Sequence, residues 1–327
     1  MTPRFQRFIL DSRTGKIFLS LLVVVYLGYL VAFGRLLNLP TLALSGTVID
    51  HPMSANPDTE RQYWTAEKMR NAVSVDEPDS NAADFTQQSS DSQVQAAKQQ
   101  EGQPPADSSL QFPLSTVGKL FLTNAYGQNM VCSGTAVVSS NHSVVDTAGH
   151  CLYWNKEWMD NVIFCPLYKN GDTPFGCWAA RDLEIPSDWL NARPNDFHHD
   201  LGIAIVAPND RGSLTDVVGG VGWAYNQAIS QSFYAYGYPA AYPFDGQTRQ
   251  ACENRSGKSW QHGGGTVISI PCNMTGGSSG GPWFIQSGNN WYVDGHNDFI
   301  SSLQPGHMFS PYYDDTWYEL YKKAQQV

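Results

Sequence analysis

The sequence predicts an all-β domain that begins near residue 113 and fills the C-terminal two thirds of the chain. Short runs rich in β-branched and aromatic residues recur there, separated by Gly, Asn and Pro. Regularly spaced short strands of this kind are typical of β-barrels and β-sandwiches. The candidate strands include 118–122, 134–138, 143–147, 201–206, 232–237, 265–270 and 291–294.

One strong helix is predicted late in the chain, over 314–325. Acidic residues begin it and Lys322 and Lys323 end it, which suits the charges at the two ends of a helix. Trp317, Leu320 and Tyr321 share one face at helical spacing, so we expect that face to contact the core.

The first 39 residues indicate a membrane signal. Residues 17–33 are uncharged and apolar, and four basic residues precede them. Positive charge stays in the cytoplasm, so residues 1–16 are expected there and the rest of the chain outside. Residues 17–39 then form either a retained single-pass anchor, which we favour, or a cleaved signal peptide, in which case the protein is secreted.

A low-complexity linker or pro-region is predicted over 40–112. Most of 74–109 consists of small and polar residues, which bury too little apolar surface to offset the chain entropy. A segment at 63–72 with several apolar residues interrupts this composition, and Thr65 is a candidate helix cap there. This segment either docks on the domain or forms a transient helix.

Charge and cysteine usage exclude several classes of function. The chain has 30 acidic and 20 basic residues and no run of Lys or Arg, so we do not expect nucleic acid as a partner. Its six cysteines all follow residue 130 and form no CxxC pair, which argues against zinc or thioredoxin-type redox sites. An even number in one region predicts three disulfides and an oxidising compartment.

Three short strings carry the candidate chemistry. TAGHC at 147–151 supplies His150, HDLGIA at 199–204 supplies Asp200, and GSSGGP at 277–282 supplies Ser279. A serine hydroxyl is a poor nucleophile until a histidine takes its proton and a carboxylate orients that histidine. The glycines around Ser279 allow a sharp turn and a close approach to a substrate.

In this order, the three strings resemble those of chymotrypsin-fold (trypsin-like) serine endopeptidases, over 113–327. FCPLYKNG at 164–171 and PFGCW at 174–178 are similar to the glutamyl-endopeptidase-like (V8-like) bacterial and fungal branch. The resemblance implies two six-stranded antiparallel β-barrels with the active site between them. It also implies that polypeptide substrates are cleaved through an acyl-enzyme, with no metal and no cofactor.

The resemblance also implies a role for each residue. His150 is the general base, Asp200 orients it and Ser279 is the nucleophile, with the backbone N–H groups of Gly277 and Ser279 as the oxyanion hole. A disulfide between Cys132 and Cys151 would hold the loop of His150. Proximity and the likeness to the glutamyl branch also suggest two further disulfides: Cys165–Cys177 and Cys252–Cys272.

Two positions depart from the trypsin pattern. Ser278 stands where trypsin-like members have the Asp that pairs with a new N-terminal amine, so activation must work differently here. Asn273 stands where Asp selects basic substrates. Thr275 and His296 are further candidates for the specificity pocket, with a slight preference for acidic or polar substrates, although Asp298 would repel a carboxylate.

Other functions are less consistent with the sequence. A non-catalytic protease homologue acting as a binding module would usually lack one of the three residues. An α/β-hydrolase would need its acid and histidine after Ser279, where only a short tail remains. A quality-control protease of the HtrA type would carry a further peptide-binding domain.

Overall fold

In the computed structural model, residues 47–75, 112–192, 196–262, 265–302 and 304–327 are described. The expected basic segment 1–16 and membrane segment 17–39 lie outside these ranges. The helices within the ranges are all too short or too polar to cross a bilayer.

The strands of the N-terminal half are short and mostly buried. They are β1 (Val48–Pro52), β2 (Val73–Ser74), β3 (Val117–Thr123), β4 (Asn129–Val137), β5 (Val144–Thr147), β6 (Tyr153–Trp154), β7 (Glu157–Trp158), β8 (Asp160–Pro166), β9 (Trp178–Pro186) and β10 (Gly202–Val206). The helices of this half are α1 (Pro57–Tyr63), α2 (Ala66–Asn71) and α3 (Ser187–Leu190), with 3-10 turns at Leu114–Thr116, Gly149–Cys151 and Phe197–His199.

Six of these strands close into an antiparallel barrel. Hydrogen bonds link β3 to β4, β4 to β5, β5 to β10, β10 to β9, β9 to β8 and β8 back to β3. Every residue of β3 and of β10 is buried. A strand of a small barrel is buried on one side by the barrel interior, and here the rest of the protein covers the other side. The closed barrel expected for this half is confirmed.

The C-terminal half forms two sheets, and the second closed barrel expected there stays a prediction. Its elements are α4 (Leu214–Val218), β11 (Gly222–Trp223), β12 (Ser232–Gly237), β13 (Gln250–Ser256), β14 (Lys258–His262), β15 (Gly265–Pro271), β16 (Pro282–Ser287), β17 (Asn290–His296), β18 (His307–Pro311) and α5 (Asp315–Ala324). One sheet has the order β11-β17-β16-β12-β13, and the other β14-β15-β18. Buried side chains, including Phe233 and Trp283, fill the space between the sheets. Backbone hydrogen bonds of Asp298 and Phe299 with Phe309 link the chain just after β17 to β18.

The segment 47–75 is folded against the barrel, which differs from the linker expected over 40–112. β1 pairs with β9, β2 pairs with β4, and Trp64 is buried against Phe121. The side chain of Thr65 accepts a hydrogen bond from the Lys68 N–H and caps α2, as the sequence predicts. Trp64 and Met69 supply the apolar surface that the rest of the expected linker lacks. Residues 76–111 lie outside the described ranges.

The helix predicted over 314–325 is confirmed as α5 (Asp315–Ala324). Asp314 caps α5 by accepting the N–H of Thr316 at 2.9 Å. Trp317 and Leu320 are fully buried, and Tyr321 lies at the edge of the same face and donates to the carbonyl of Val138. The helix packs on β1, β9 and β10, so it covers the outside of the first barrel.

Three disulfides are formed, and they are the expected pairs. Cys132–Cys151 joins β4 to the turn that carries His150, with 6.1 Å between the Cα atoms. Cys165–Cys177 and Cys252–Cys272 have Cα separations of 4.4 Å and 5.6 Å. The described residues include no free cysteine.

Candidate active site

His150 lies on the short turn that follows β5. The turn Gly149–Cys151 is buried, and the Cys132–Cys151 disulfide ties it to β4. The imidazole is only 2% exposed, so its position is set by packing. A general base needs such a fixed position because proton transfer requires hydrogen-bond geometry.

Asp200 holds His150 through two hydrogen bonds. Its Oδ1 accepts the backbone N–H of His150 and its Oδ2 lies next to Nδ1, each at 2.7 Å. Asp200 is fully buried between the turn Phe197–His199 and β10. Burial by itself would raise the pKa of Asp200, but the adjacent imidazole and its hydrogen bond lower that pKa below its ordinary value. The carboxylate is therefore ionised and keeps the proton of His150 on Nδ1.

A second buried carboxyl group, that of Asp298, lies beside this pair. Its Oδ1 is 3.7 Å from Nδ1 of His150, and its hydrogen bond with Asp200 further lowers the pKa of Asp200. Side-chain atoms of His150, Asp200 and Asp298 all lie within 4.8 Å of one another. The sequence indicated Asp298 only as a group that would repel acidic substrates.

Ser279 lies in a tight loop built from glycines. A Cβ on Gly280, whose φ is +75°, would lie 2.0 Å from Oγ1 of Thr147, so no other residue fits there. The hydroxyl of Ser279 donates to the backbone carbonyl of Asp298 at 3.5 Å. The loop therefore approaches the first barrel as closely as its backbone allows.

Ser133 on β4 links the two halves of the domain at this loop, and no motif in the sequence indicated it. Its N–H donates to the carbonyl of Ser279 at 2.8 Å, and its hydroxyl donates to the carbonyl of Gly277 at 2.9 Å. The same hydroxyl accepts the N–H of Tyr238 at 2.8 Å. These bonds fix the nucleophile loop against the barrel that carries His150.

The direction of the Gly277 N–H is set by the carbonyl before it. The carbonyl of Gly276 accepts the N–H of Ala240 at 2.7 Å and that of Ala241 at 3.2 Å. A trans peptide places its C=O and N–H on opposite sides. The Gly277 N–H therefore points away from Ala240.

The Ser279 N–H is oriented in the same way. The carbonyl of Ser278 accepts the N–H of Gly281 at 2.9 Å and the side-chain amide of Asn297 at 3.2 Å. In both peptide groups that contribute an expected oxyanion donor, the carbonyl oxygen opposite that N–H thus accepts hydrogen bonds, which fix the orientation of the group. Such fixed donors need no rearrangement when negative charge develops.

His150 and Ser279 line one cavity of about 490 Å³. Its wall consists of His150, Trp154, Phe197, Ala241, Tyr242, Thr275, Gly276, Ser278, Ser279, Asp298, Phe299, Ile300 and Met308. The wall is mostly apolar, and no Lys, Arg or Glu of the described ranges is part of it. The cavity suits an extended peptide with an apolar side chain.

The three candidate specificity residues lie in different surroundings. Thr275 lines the cavity and donates its hydroxyl to the carbonyl of Ala241 at 2.7 Å. Asn273 is exposed and is not part of the cavity wall. His296 is fully buried next to the hydroxyl of Tyr313, at 2.9 Å, and burial lowers its pKa to about 3. A buried neutral imidazole away from the wall does not contact a substrate in the cavity.

Among the described residues, one polar cluster outside the cavity has the composition of a metal site. Ligand atoms of Asp196, His198 and His199 lie within 4.8 Å of one another on the turn before Asp200. Nδ1 of His198 is 2.5 Å from the Asp196 carboxylate, so these two side chains already form a pair. Two imidazoles and a carboxylate could hold a divalent cation such as Zn²⁺.

Comparison with solved structures gives the class of the protein. The protease Anisep from Arthrobacter nicotinovorans is 36% identical, with a TM-score of 0.59, over 65% of this chain and 96% of that chain. The thermostable serine protease AL20 from an extremophilic microorganism is also 36% identical, with a TM-score of 0.59, over 65% of this chain and 98% of that chain. No family model and no curated protein sequence matches the chain.

The chain therefore belongs to the chymotrypsin-fold serine proteases. It is a serine-type endopeptidase. A Glu endopeptidase is similar at 14% identity and a TM-score of 0.51, over 67% of this chain and 94% of that chain. At that identity, the likeness to the glutamyl branch shows a common fold.

Proposed function

We propose that His150, Asp200 and Ser279 form the catalytic triad of this endopeptidase. The observation that supports the proposal most strongly is the pair of 2.7 Å contacts between His150 and Asp200. His150 and Ser279 line the same cavity, which is large enough for a peptide side chain. The order of base, acid and nucleophile along the chain agrees with the family to which it belongs.

The triad accounts for both halves of peptide hydrolysis. Nε2 of His150 takes the proton of the Ser279 hydroxyl while the serine oxygen attacks the carbonyl carbon. The same nitrogen gives that proton to the leaving amine as the C–N bond breaks, which leaves an ester on Ser279. Water then loses a proton to His150 and attacks the ester, and the serine regains its proton as the acid leaves.

Asp200 and the glycine loop stabilise the charges that form during these steps. The carboxylate of Asp200 keeps Nδ1 protonated and stabilises the imidazolium. The N–H groups of Gly277 and Ser279 are proposed to bind the oxygen that becomes negative in the tetrahedral intermediate. Their orientation by Ala240 and Gly281 supports this role.

We further propose that the domain acts outside the cytoplasm and is held to the membrane by residues 17–39. The three disulfides require an oxidising compartment, and the basic residues before 17 favour this orientation. Alkaline extraction of membranes tests the anchor. Full-length protein in the pellet supports it, and soluble protein that lacks its N-terminus shows a cleaved signal peptide.

Peptidase assays of two serine variants test the triad. Ser279→Ala should abolish cleavage of a denatured protein substrate and labelling by a fluorophosphonate, while its thermal unfolding stays that of the wild type. Ser278→Ala is the matched control, because the Ser278 hydroxyl donates to the Thr275 carbonyl, so Ser279 should still be labelled. Labelling of Ser279→Ala at the wild-type rate would contradict the proposal.

A further inference from the structure

Lys119 is a fully buried lysine that the mechanism does not use. It lies on β3 with 0% exposure. Its Nζ lies 5.0 Å from the ring centre of Phe121 and 4.9 Å from that of Tyr168. Burying an amine is costly unless it finds a hydrogen-bond partner. A lysine at such a position therefore needs a structural or functional explanation.

The amine of Lys119 donates to the carbonyl of Gly246, at 2.9 Å. Gly246 is buried in a loop of residues 238–249, which we call the support loop. A Cβ on Gly246 would lie 2.8 Å from Cβ of Ala240, so the two residues pack in direct contact within this loop. Lys119 thus holds the part of the support loop that lies against Ala240.

Ala240 and Ala241 connect the support loop to the proposed oxyanion hole. Both donate their N–H groups to the carbonyl of Gly276, and Ala241 accepts the hydroxyl of Thr275. The Gly276 carbonyl determines where the Gly277 N–H points. A continuous set of contacts therefore runs from Lys119 through Gly246 and Ala240 to that N–H.

We propose that Lys119 is a positioning residue that keeps the oxyanion hole formed by fixing the support loop. This inference rests on the proposed function. It explains how the loop is held although Ser278, whose hydroxyl donates to Thr275, cannot pair with an N-terminal amine. The support is supplied from inside the folded domain, so a newly cut N-terminus is not needed to form the oxyanion hole.

The hydrogen bond does not depend on the charge of the amine. Burial lowers the pKa of Lys119 to about 7, while the nearby charge of Asp245 acts in the opposite direction. Both the ammonium and the neutral amine carry N–H groups. The bond to Gly246 is therefore available in either state.

Kinetics of Lys119→Met in the full-length protein test the proposal. The methionine fills a similar volume but cannot donate to Gly246. We expect kcat to fall by about 10- to 100-fold, less than or comparable to the loss of an oxyanion donor, with KM changed less than about threefold. Lys258→Met is the matched control, because Lys258 lies on a strand with an exposed side chain and should leave kcat unchanged.

Chemical rescue separates positioning from general stability. Lys119→Ala leaves space that n-propylammonium can occupy, so added amine should raise the kcat of this variant in a saturable way. The same amine should not activate Lys119→Met, whose side chain fills the space. Wild-type kcat in Lys119→Met, or a loss in Lys119→Ala that no amine relieves, would overturn the inference.

Thr275→Val keeps the inference testable if the Lys119 variants do not fold. Thr275 faces the cavity, and its hydroxyl forms the other link from the oxyanion loop to Ala241. We expect a lower kcat with an unchanged melting temperature, and a wild-type kcat would contradict the inference. An inactive wild-type protein would instead refute the proposed function.

Discussion

Replacing Asp200 by Asn should nearly abolish activity without disturbing the fold. The backbone N–H of His150 can only donate, so it selects the amide oxygen of the new side chain. The amide NH₂ then faces Nδ1, which lies 2.7 Å from the present carboxylate. Nδ1 must become an acceptor, so the ring proton moves to Nε2, where the nitrogen can no longer accept the serine proton.

A tautomer change of this kind lowers kcat by about 10⁴-fold, or about 5 kcal/mol in activation free energy. The assay is steady-state hydrolysis of a chromogenic peptide at pH 8, together with thermal unfolding to show that the variant is folded. A loss smaller than about 10-fold would refute the reasoning, because the geometry leaves Nδ1 no other tautomer.

Asp298→Asn is the matched control for this prediction. Asp298 forms a hydrogen bond with Asp200, and an Asn side chain has nearly the same shape and carries N–H groups that can donate to the Asp200 carboxylate. We therefore expect a loss of less than about 10-fold, far below that of the Asp200 variant. Equal losses in the two variants would mean that the roles of the two carboxyl groups are misassigned.

Three further results are expected. Activity should be lost at acid pH, because a protonated His150 cannot accept a proton, and a flat profile from about pH 4 to 8 would be inconsistent with that role. Burial raises the pKa of Glu60 from 4.5 to about 7, so its contribution to stability is present below pH 4.5 and lost as the pH rises to about 7. At pH 8, urea titration should accordingly give Glu60→Gln a free energy of unfolding about 3 kcal/mol above that of the wild type, and the two should be equal near pH 4.5. Replacing Cys252 and Cys272 by Ser should lower the free energy of unfolding by about 3 kcal/mol in urea titrations.

The sequence predicted those features that depend on local chemistry. Thr65 caps its helix as expected, because a capping side chain bonds to an N–H group two or three residues away. The barrel strand predicted at 118–122 is found as Val117–Thr123, since a short, mostly apolar run between turn residues is a local signal. The three cysteine pairs were also anticipated, two of them from proximity and from the resemblance to the glutamyl branch.

Features that depend on distant packing were not predicted. Nothing near Asp298 in the sequence indicates that its carboxyl group meets Asp200, which is almost a hundred residues away. Ser133 and Lys119 look like ordinary strand residues, and their roles arise only from the loops that fold against β4 and β3. The segment 47–75 was expected to be a linker because composition does not show that Trp64 finds a site beside Phe121.

The most direct test of the central claim is a crystal structure of the protein after reaction with a fluorophosphonate. We predict a phosphorus atom bonded to Oγ of Ser279, with a phosphonyl oxygen accepting hydrogen bonds from the N–H groups of Gly277 and Ser279. His150 should remain bonded to Asp200 through Nδ1. A phosphonyl group on any other residue, or an oxygen directed away from both N–H groups, would contradict the account.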